Sequence, residues 1–252
     1  MYFPSPGIPG SHFVNTGFQN WNVSTIQDFS GMFSLATSFN DDITGWNTIS
    51  ATNMAQMFAA ASSFNRDISS WNVSNVTNMQ SIFGGASSFN QNINSWNVSN
   101  VTRMSAAFAN TDVFNQPLDN WNMSSVTDID QMFSGAKAFN QDISGWDVSH
   151  ANVFAEMFMD AKAFNQNIGS WNMSGCLLSS GMFQGAQSFN RNISGWNMSN
   201  NTDISRMFSG ASSFNQNIAG WNVSNVTSMY ATFQDAVAFN QDLSLWNLIN
   251  RH

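Results

Sequence analysis

The chain has few charged side chains, little proline and no long apolar run. Only 9% of its 252 residues are charged, and its seven Lys and Arg are outnumbered by fifteen Asp and Glu, which gives a net charge of -8. Because no basic stripe is present to neutralise phosphates, nucleic acid and anionic membrane surfaces are excluded as expected partners. No apolar run approaches the roughly 20 residues that a membrane-spanning helix needs, so membrane insertion is not expected either.

Catalytic residue types are equally scarce. Glu156 is the only glutamate, and His12, His150 and His252 fall in unrelated parts of the chain. No Ser, His and Asp set or matched pair of carboxylates can be placed, so we expect no enzymatic activity and no cofactor. Cys176, the only cysteine, occupies a position that holds Val elsewhere, which predicts a small buried apolar residue and not a reactive thiol.

Tryptophan, in contrast, recurs every 25 residues along the chain. A fixed period of this length is typical of units that bury their apolar faces only by stacking on their neighbours. Two Phe columns follow the same period, one beginning at Phe39 and the other at Phe33, and we predict that these aromatic columns form the core. The tryptophans are Trp21, Trp46, Trp71, Trp96, Trp121, Trp146, Trp171, Trp196, Trp221 and Trp246.

Each repeat contains two hydrophobic patterns. The order Trp71, Asn72, Val73 and Ser74 alternates apolar and polar residues, which predicts a strand with one buried face. Farther along, apolar residues from Val76 to Ala86 lie three and four apart, as on one side of a short α or 3₁₀ helix. Thr at position 77 predicts the helix N-cap, and Gly at position 85 predicts its end.

These patterns predict an α/β repeat solenoid. A strand that returns every 25 residues through a short helix must lie parallel to the previous strand, and such crossovers are nearly always right-handed. We therefore expect about ten right-handed coils, with short parallel strands on one side and short helices on the other. The predicted organisation is a Pro- and Gly-rich segment at 1–12 and a single repeat domain at 13–252.

The repeat resembles a known family of surface proteins. The order Ile68-x-x-Trp71-x-Val73-x-x-Val76 is similar to the apolar order of leucine-rich repeats, and the full 25-residue pattern resembles BspA-like, mycoplasma lipoprotein-associated repeats. The resemblance covers residues 18–248. It implies a leucine-rich-repeat-like solenoid that lies outside the cell or at its surface, and it implies no catalytic residues.

The outward side of the predicted strand is the expected binding surface, because it repeats small neutral residues that form hydrogen bonds. Such a surface suits a protein or a glycan at a cell surface, so adhesion or protein interaction is the expected function. A head-to-tail extracellular filament is the alternative, and an ice or mineral template is a third. The surface residues are Asn22, Asn47, Asn72, Asn97, Asn122, Asp147, Asn172, Asn197, Asn222 and Asn247, with Ser74, Ser99, Ser124, Ser174, Ser199 and Ser224.

Two other roles are open for the Asn and Asp columns. The columns that contain Asn40 and Asp42 provide oxygen atoms in every coil, which calcium prefers, but neutral Asn and Pro117 interrupt the carboxylates. The simpler interpretation is a ladder of side chains bonded to the backbone of adjacent coils. Several Asn also complete glycosylation sequons, as in Asn72-Val73-Ser74.

Overall fold

The protein is a column of irregular 25-residue coils stacked one on the next. A computed structural model describes residues 17–246, which include one 3₁₀ helix, Phe18–Asn20. Isolated parallel bridges join residues 25 apart, for example Asp28 to Asn53 and Asn53 to Asn78. The predicted segment at 1–12 and the site residue Asn247 lie outside the described residues.

The predicted α/β solenoid class is wrong. In residues 17–246 no α-helix forms, no strand extends beyond a single bridged residue, and no sheet is present. What repeats is a path of turns around clustered aromatic side chains. The expected strands on one side and helices on the other are therefore both absent from this part of the chain.

The expected strand is absent because its backbone groups bond within their own coil. The amide of Trp71 donates to the carbonyl of Ile68 at 3.1 Å, and the amide of Val76 donates to the carbonyl of Val73 at 2.9 Å. Both are turns that join residues three apart, and a strand cannot form across them. Trp71 and Val73 are nevertheless buried while Asn72 is exposed, so the alternation of burial is correct although the backbone is not extended.

The expected helix is replaced by consecutive turns, which we call the turn row, at residues 28–36 and at each position 25 residues on. In the row at 78–86, the amides of Ser81 and Phe83 donate to the carbonyls of Ser105 and Ala107 in the next coil, at 2.8 and 3.0 Å. The intervening amides close turns within the coil, as from Gly84 to Ser81 at 3.0 Å.

Positive φ angles recur in the turn row, 51° at Ser81 and 76° at Gly85, and they break any helix. The predicted N-cap, Thr77, also acts between coils, because its amide donates to the carbonyl of Thr52 at 2.9 Å.

The aromatic columns form the core, as predicted from their period. Successive rings of the column that begins at Phe33 stack at centroid distances of 5.4 to 5.8 Å. Within one coil, the two Phe rings stack face to face, as for Phe58 and Phe64 at 3.9 Å. Stacked aromatic pairs contribute about 0.5 to 1.5 kcal/mol each beyond the area that they bury.

Each described Trp from Trp46 onward also forms a hydrogen bond between coils. The indole Nε1 of Trp96 donates to the carbonyl of Ile68 at 3.1 Å, and that of Trp121 donates to Ile93 at 3.2 Å. A buried indole N–H left without an acceptor would cost about 1 to 3 kcal/mol. The same side chain therefore fills the core and fixes the register of its coil on the previous one.

Candidate interaction surface

The predicted Asn column lies at a turn and not on a strand. In each described coil its side chain is exposed, and its Oδ1 accepts a hydrogen bond from the amide two residues on. For Asn72 the donor is the Ser74 amide at 3.0 Å, and for Asn122 it is the Ser124 amide at 3.1 Å. This Asx turn is the local conformation that Asn and Asp favour.

Each predicted site residue from Asn22 to Ser224 takes part in the same turn or the equivalent one. The Asn members, and Asp147 among them, are exposed, while the Ser members are half-buried except Ser224, which is exposed. In coils that hold Ser two residues on, its amide donates to this side chain at 3.0 to 3.2 Å. In the remaining described coil, Asn47 accepts from the Ile49 amide at 3.2 Å. The structure therefore places these residues along one edge of the column, one turn per coil.

The two ends of each Asn amide differ in what they bond. Among residues 17–246, no protein acceptor is in hydrogen-bond range of the Nδ2 groups of this column, whereas Oδ1 is engaged in the turn. Asn97, for example, uses Oδ1 to hold the Ser99 amide at 3.2 Å. The exposed edge thus presents repeated amide donors whose orientation the turn fixes.

Coils are in direct contact next to this edge. The side-chain amide of Asn75 donates to the carbonyl of Ile49 at 2.9 Å, and that of Asn100 donates to the carbonyl of Ser74 at 2.7 Å. These bonds connect residues 26 apart and bring consecutive turns of the edge side by side. The presented donors therefore form a continuous row and not a set of scattered groups.

Asp147 is the one described carboxylate in this column. Hydrogen bonds from the Ser149 hydroxyl and amide hold its pKa below the usual value, with a smaller contribution from the charge of His150. The carboxylate accepts the turn hydrogen bond at 3.0 Å, as the Asn side chains do. Asp is therefore compatible with the turn, but it replaces an amide donor by a negative charge.

The Asp42 column, considered as a calcium ladder, is a second line of Asx turns. Asp67 accepts from the Ser69 amide at 2.9 Å, and Asp142 accepts from the Ser144 amide at 2.9 Å. Backbone and then side-chain hydrogen bonds lower the pKa of Asp42, Asp67, Asp142 and Asp242. Among residues 17–246, no group of three or more His, Cys, Asp or Glu side chains is placed to hold a metal ion.

The Asn40 column forms the ladder between coils that the sequence offered as the simpler interpretation. The Oδ1 of Asn90 accepts from the Asn115 amide at 3.0 Å, and the Oδ1 of Asn115 accepts from the Asn140 amide at 2.9 Å. The side-chain amide of Gln141 adds a second bond to Asn115 at 2.9 Å. Each Asn therefore satisfies a backbone donor of the next coil, which is a structural role.

An acidic pair, which the sequence suggested was simply solvated, lies in the turn row. Asp130 is half-buried, and its pKa is raised to about 7, first by burial and then by its hydrogen bond to Asp128 and the charge of that carboxylate. Glu156 adds a smaller repulsion. Bridges in this column pair Arg103 with Asp128 and Val153 with Leu178, but none joins Asp128 to Val153 in the described chain.

The repeat that departs from the pattern contains a buried polar cluster. Cys176 is buried, as predicted, and burial raises the pKa of its thiol to about 12. The side-chain amide of Asn201 donates to Cys176 Sγ at 3.2 Å and to Ser179 Oγ at 3.0 Å. Leu177 and Leu178 are exposed beside it, which confirms the predicted apolar patch. The Asn201 partner was not predicted, although Asn in a column of Val was a visible signal.

Comparison with known proteins gives the family. The family model described as Mycoplasma protein of unknown function, DUF285, matches residues 10–119, 91–177 and 178–252. The chain belongs to this family. Its three tandem matches confirm that the chain is a repeat protein of mycoplasma type. A search of curated proteins found no match.

Membrane crossing by a helix was also examined. Between residues 17 and 246, no helix has the length and apolar character that a membrane span requires.

Proposed function

We propose that the chain is a non-enzymatic module that binds a protein partner, outside the cell or at its surface, along the exposed amide edge. One observation supports this most directly: the edge repeats amide donors that are exposed, held by Asx turns and unused within residues 17–246. The resemblance of the repeat to BspA-like surface proteins favours the location.

The chemistry of the edge favours a partner that supplies acceptors. An extended protein segment presents backbone carbonyls at regular intervals, and a row of fixed NH₂ groups can bond several of them at once. Each such bond contributes about 0.5 to 1.5 kcal/mol, so useful affinity requires several coils to act together. The single carboxylate, Asp147, would face such carbonyls without a donor to offer.

The test exchanges donors for carboxylates while the turn is kept. In the variant Asn97→Asp, Asn122→Asp, Asn172→Asp, each new Asp takes the place that Asp147 already occupies with the turn hydrogen bond intact. We expect at least a tenfold loss of binding to the partner captured from host surface proteins, measured by biolayer interferometry, with thermal stability unchanged.

The matched control carries the same charge in another column. Asn92→Asp, Asn167→Asp, Asn217→Asp alters the column that already holds Asp67 and Asp142 in Asx turns. Binding by this control should equal that of the unmodified chain. Equal binding by both variants contradicts the proposed edge, and loss of binding after glycosidase treatment of the partner assigns the acceptors to a glycan instead.

A further inference from the structure

The turn rows give the column a direction. In interior coils, alternate amides of each row donate to carbonyls of the row that follows, as from Phe83 to Ala107 at 3.0 Å and from Gly85 to Ala109 at 2.6 Å. Each row therefore uses its donors toward the C-terminal side and its acceptors toward the N-terminal side. The last described row retains donors, and the first retains acceptors.

The unused groups at the two ends match in number and spacing. Among the described residues, the amides of Met229, Ala231, Phe233 and Asp235 have no acceptor. In the same part of the chain, the carbonyls of Asp28, Ser30, Met32 and Ser34 accept from no donor. These are the same alternate positions that pair between interior rows.

The C-terminal end of the column is also apolar. A cavity of about 380 Å³ lies beside its row, lined mainly by Met229, Phe233, Leu243 and Trp246. Phe233 is only partly buried, whereas Phe208, the equivalent residue one coil earlier, is completely buried. The hollow therefore offers the aromatic and aliphatic surface that a following coil covers in the interior.

Three exposed side chains of the last described coil depart from their columns in the same way. Tyr230, Val237 and Leu245 are 67%, 83% and 75% exposed. In every other described coil their columns hold polar residues, Ala or Gly, among them Asp130 and Lys137. The apolar character is thus confined to the coil that carries the unused amides.

We propose that this end docks the N-terminal end of a second copy of the chain. The amides of Met229, Ala231, Phe233 and Asp235 then donate to the carbonyls of Asp28, Ser30, Met32 and Ser34 of the next copy, in the register of interior rows. Because the two docking surfaces differ, the contact leaves one free end of each kind, and association continues into linear chains.

The docking requires a local exchange. The described residues exceed nine periods by five, so 242–246 of one copy and 17–21 of the next compete for one place in the column. Trp246 stacks on Trp221 at 6.4 Å, and Trp21 stacks on Trp46 at 6.4 Å. Trp246 can therefore replace Trp21 against Trp46 of the next copy, and the exchange keeps an indole in that position.

The test is the concentration dependence of mass, measured by sedimentation velocity on the full chain. The unmodified protein should grow beyond two copies as its concentration rises. The double variant Tyr230→Asp, Val237→Lys should need at least a tenfold higher concentration to associate. Each new residue is one that its column already holds in interior coils, at Asp130 and Lys137, so the variant should fold normally.

Two controls make the result specific. Ser205→Asp, Ser212→Lys places the same residues in the same columns one coil earlier and should associate like the unmodified protein. Met32→Lys alters the opposite end, and its mixture with the double variant should yield pairs of copies, because each partner keeps one working end. Monomers at all concentrations, growth that stops at two copies, or equal association of variant and control would overturn the proposal. The Asn97 edge is untouched by these changes, so this result is independent of the proposed binding function.

Discussion

At the residue scale, Asn and Asp organise the corners of each coil. Their side chains accept hydrogen bonds from amides two residues on at Asn72 and Asp67, and from the next coil at Asn90. Short polar side chains can do this because their acceptor lies close to the backbone. The low charge of the chain follows, since neutral amides provide much of its polar surface.

Asp130 gives the residue-scale prediction. Its folded pKa of about 7 lies above the model value of 3.8, so the folded state binds the proton more tightly than the unfolded state. The stabilisation is complete below about pH 3.8 and is lost as the pH rises through 7. Asp130→Asn keeps a donor toward Asp128 without the charge. Its melting temperature, relative to the unmodified chain, should rise between pH 4 and pH 8.

A control with the opposite shift accompanies it. The pKa of Asp142 is lowered, so its contribution is present above about pH 3.8 and is lost only in stronger acid. Asp142→Asn should therefore show a constant difference in melting temperature between pH 5 and pH 8. A constant difference for Asp130→Asn over the same range would contradict the raised pKa.

The sequence predicted single residues well wherever a column was uniform. The burial of the Trp and Phe columns followed from their period, and the burial of Cys176 followed from the Val that its column holds elsewhere. The raised pKa of Asp130 could not be predicted, because it depends on the distance to Asp128 across a turn and on the burial that the turn imposes.

At the scale of the element, both predicted elements were wrong for one physical reason. Apolar spacing reports which side chains are buried, but it does not report where the backbone amides donate. Three-residue turns bury Trp71 and Val73 with the alternation of a strand, and consecutive turns bury Met79 and Phe83 with the spacing of a helix. One sequence signal was available: the column of Gly85 holds Gly, Asn or Asp in most coils, which favours positive φ angles.

The Asn40 ladder gives the prediction for this scale. Asn115→Ala removes the acceptor of the Asn140 amide and of the Gln141 side chain, both at 2.9 Å. We expect the free energy of unfolding to fall by about 1 to 3 kcal/mol, the usual cost of leaving such a donor unpaired. Urea denaturation monitored by tryptophan fluorescence measures the change.

A second Asn to Ala change separates the ladder from ordinary loss of an Asx turn. Asn97→Ala removes an exposed turn acceptor within one coil and bonds no neighbouring coil through that side chain. It should cost less than Asn115→Ala. Equal costs would mean that the bond between coils adds nothing to stability.

At the scale of the whole molecule, stacking is what each coil depends on. The aromatic stacks, the Trp indole bonds and the amides of the turn rows all join residues about 25 apart, and few contacts could hold one coil alone. Such proteins gain their stability as a sum over neighbouring units. Repetition was predictable because it is written in the sequence, and the tandem family matches agree with it.

The most direct measurement of this stacking is a set of distances along the exposed amide edge. Spin-label pairs at positions 72 and 122, 72 and 172, and 72 and 222 span two, four and six coils, in a Cys176→Val background diluted with unlabelled protein. Stacked coils lie about 5 Å apart, so the distances should rise linearly, by about 10 Å from each pair to the next. Distances that fail to increase with the number of coils, or that are broad as in separate units, would contradict the account.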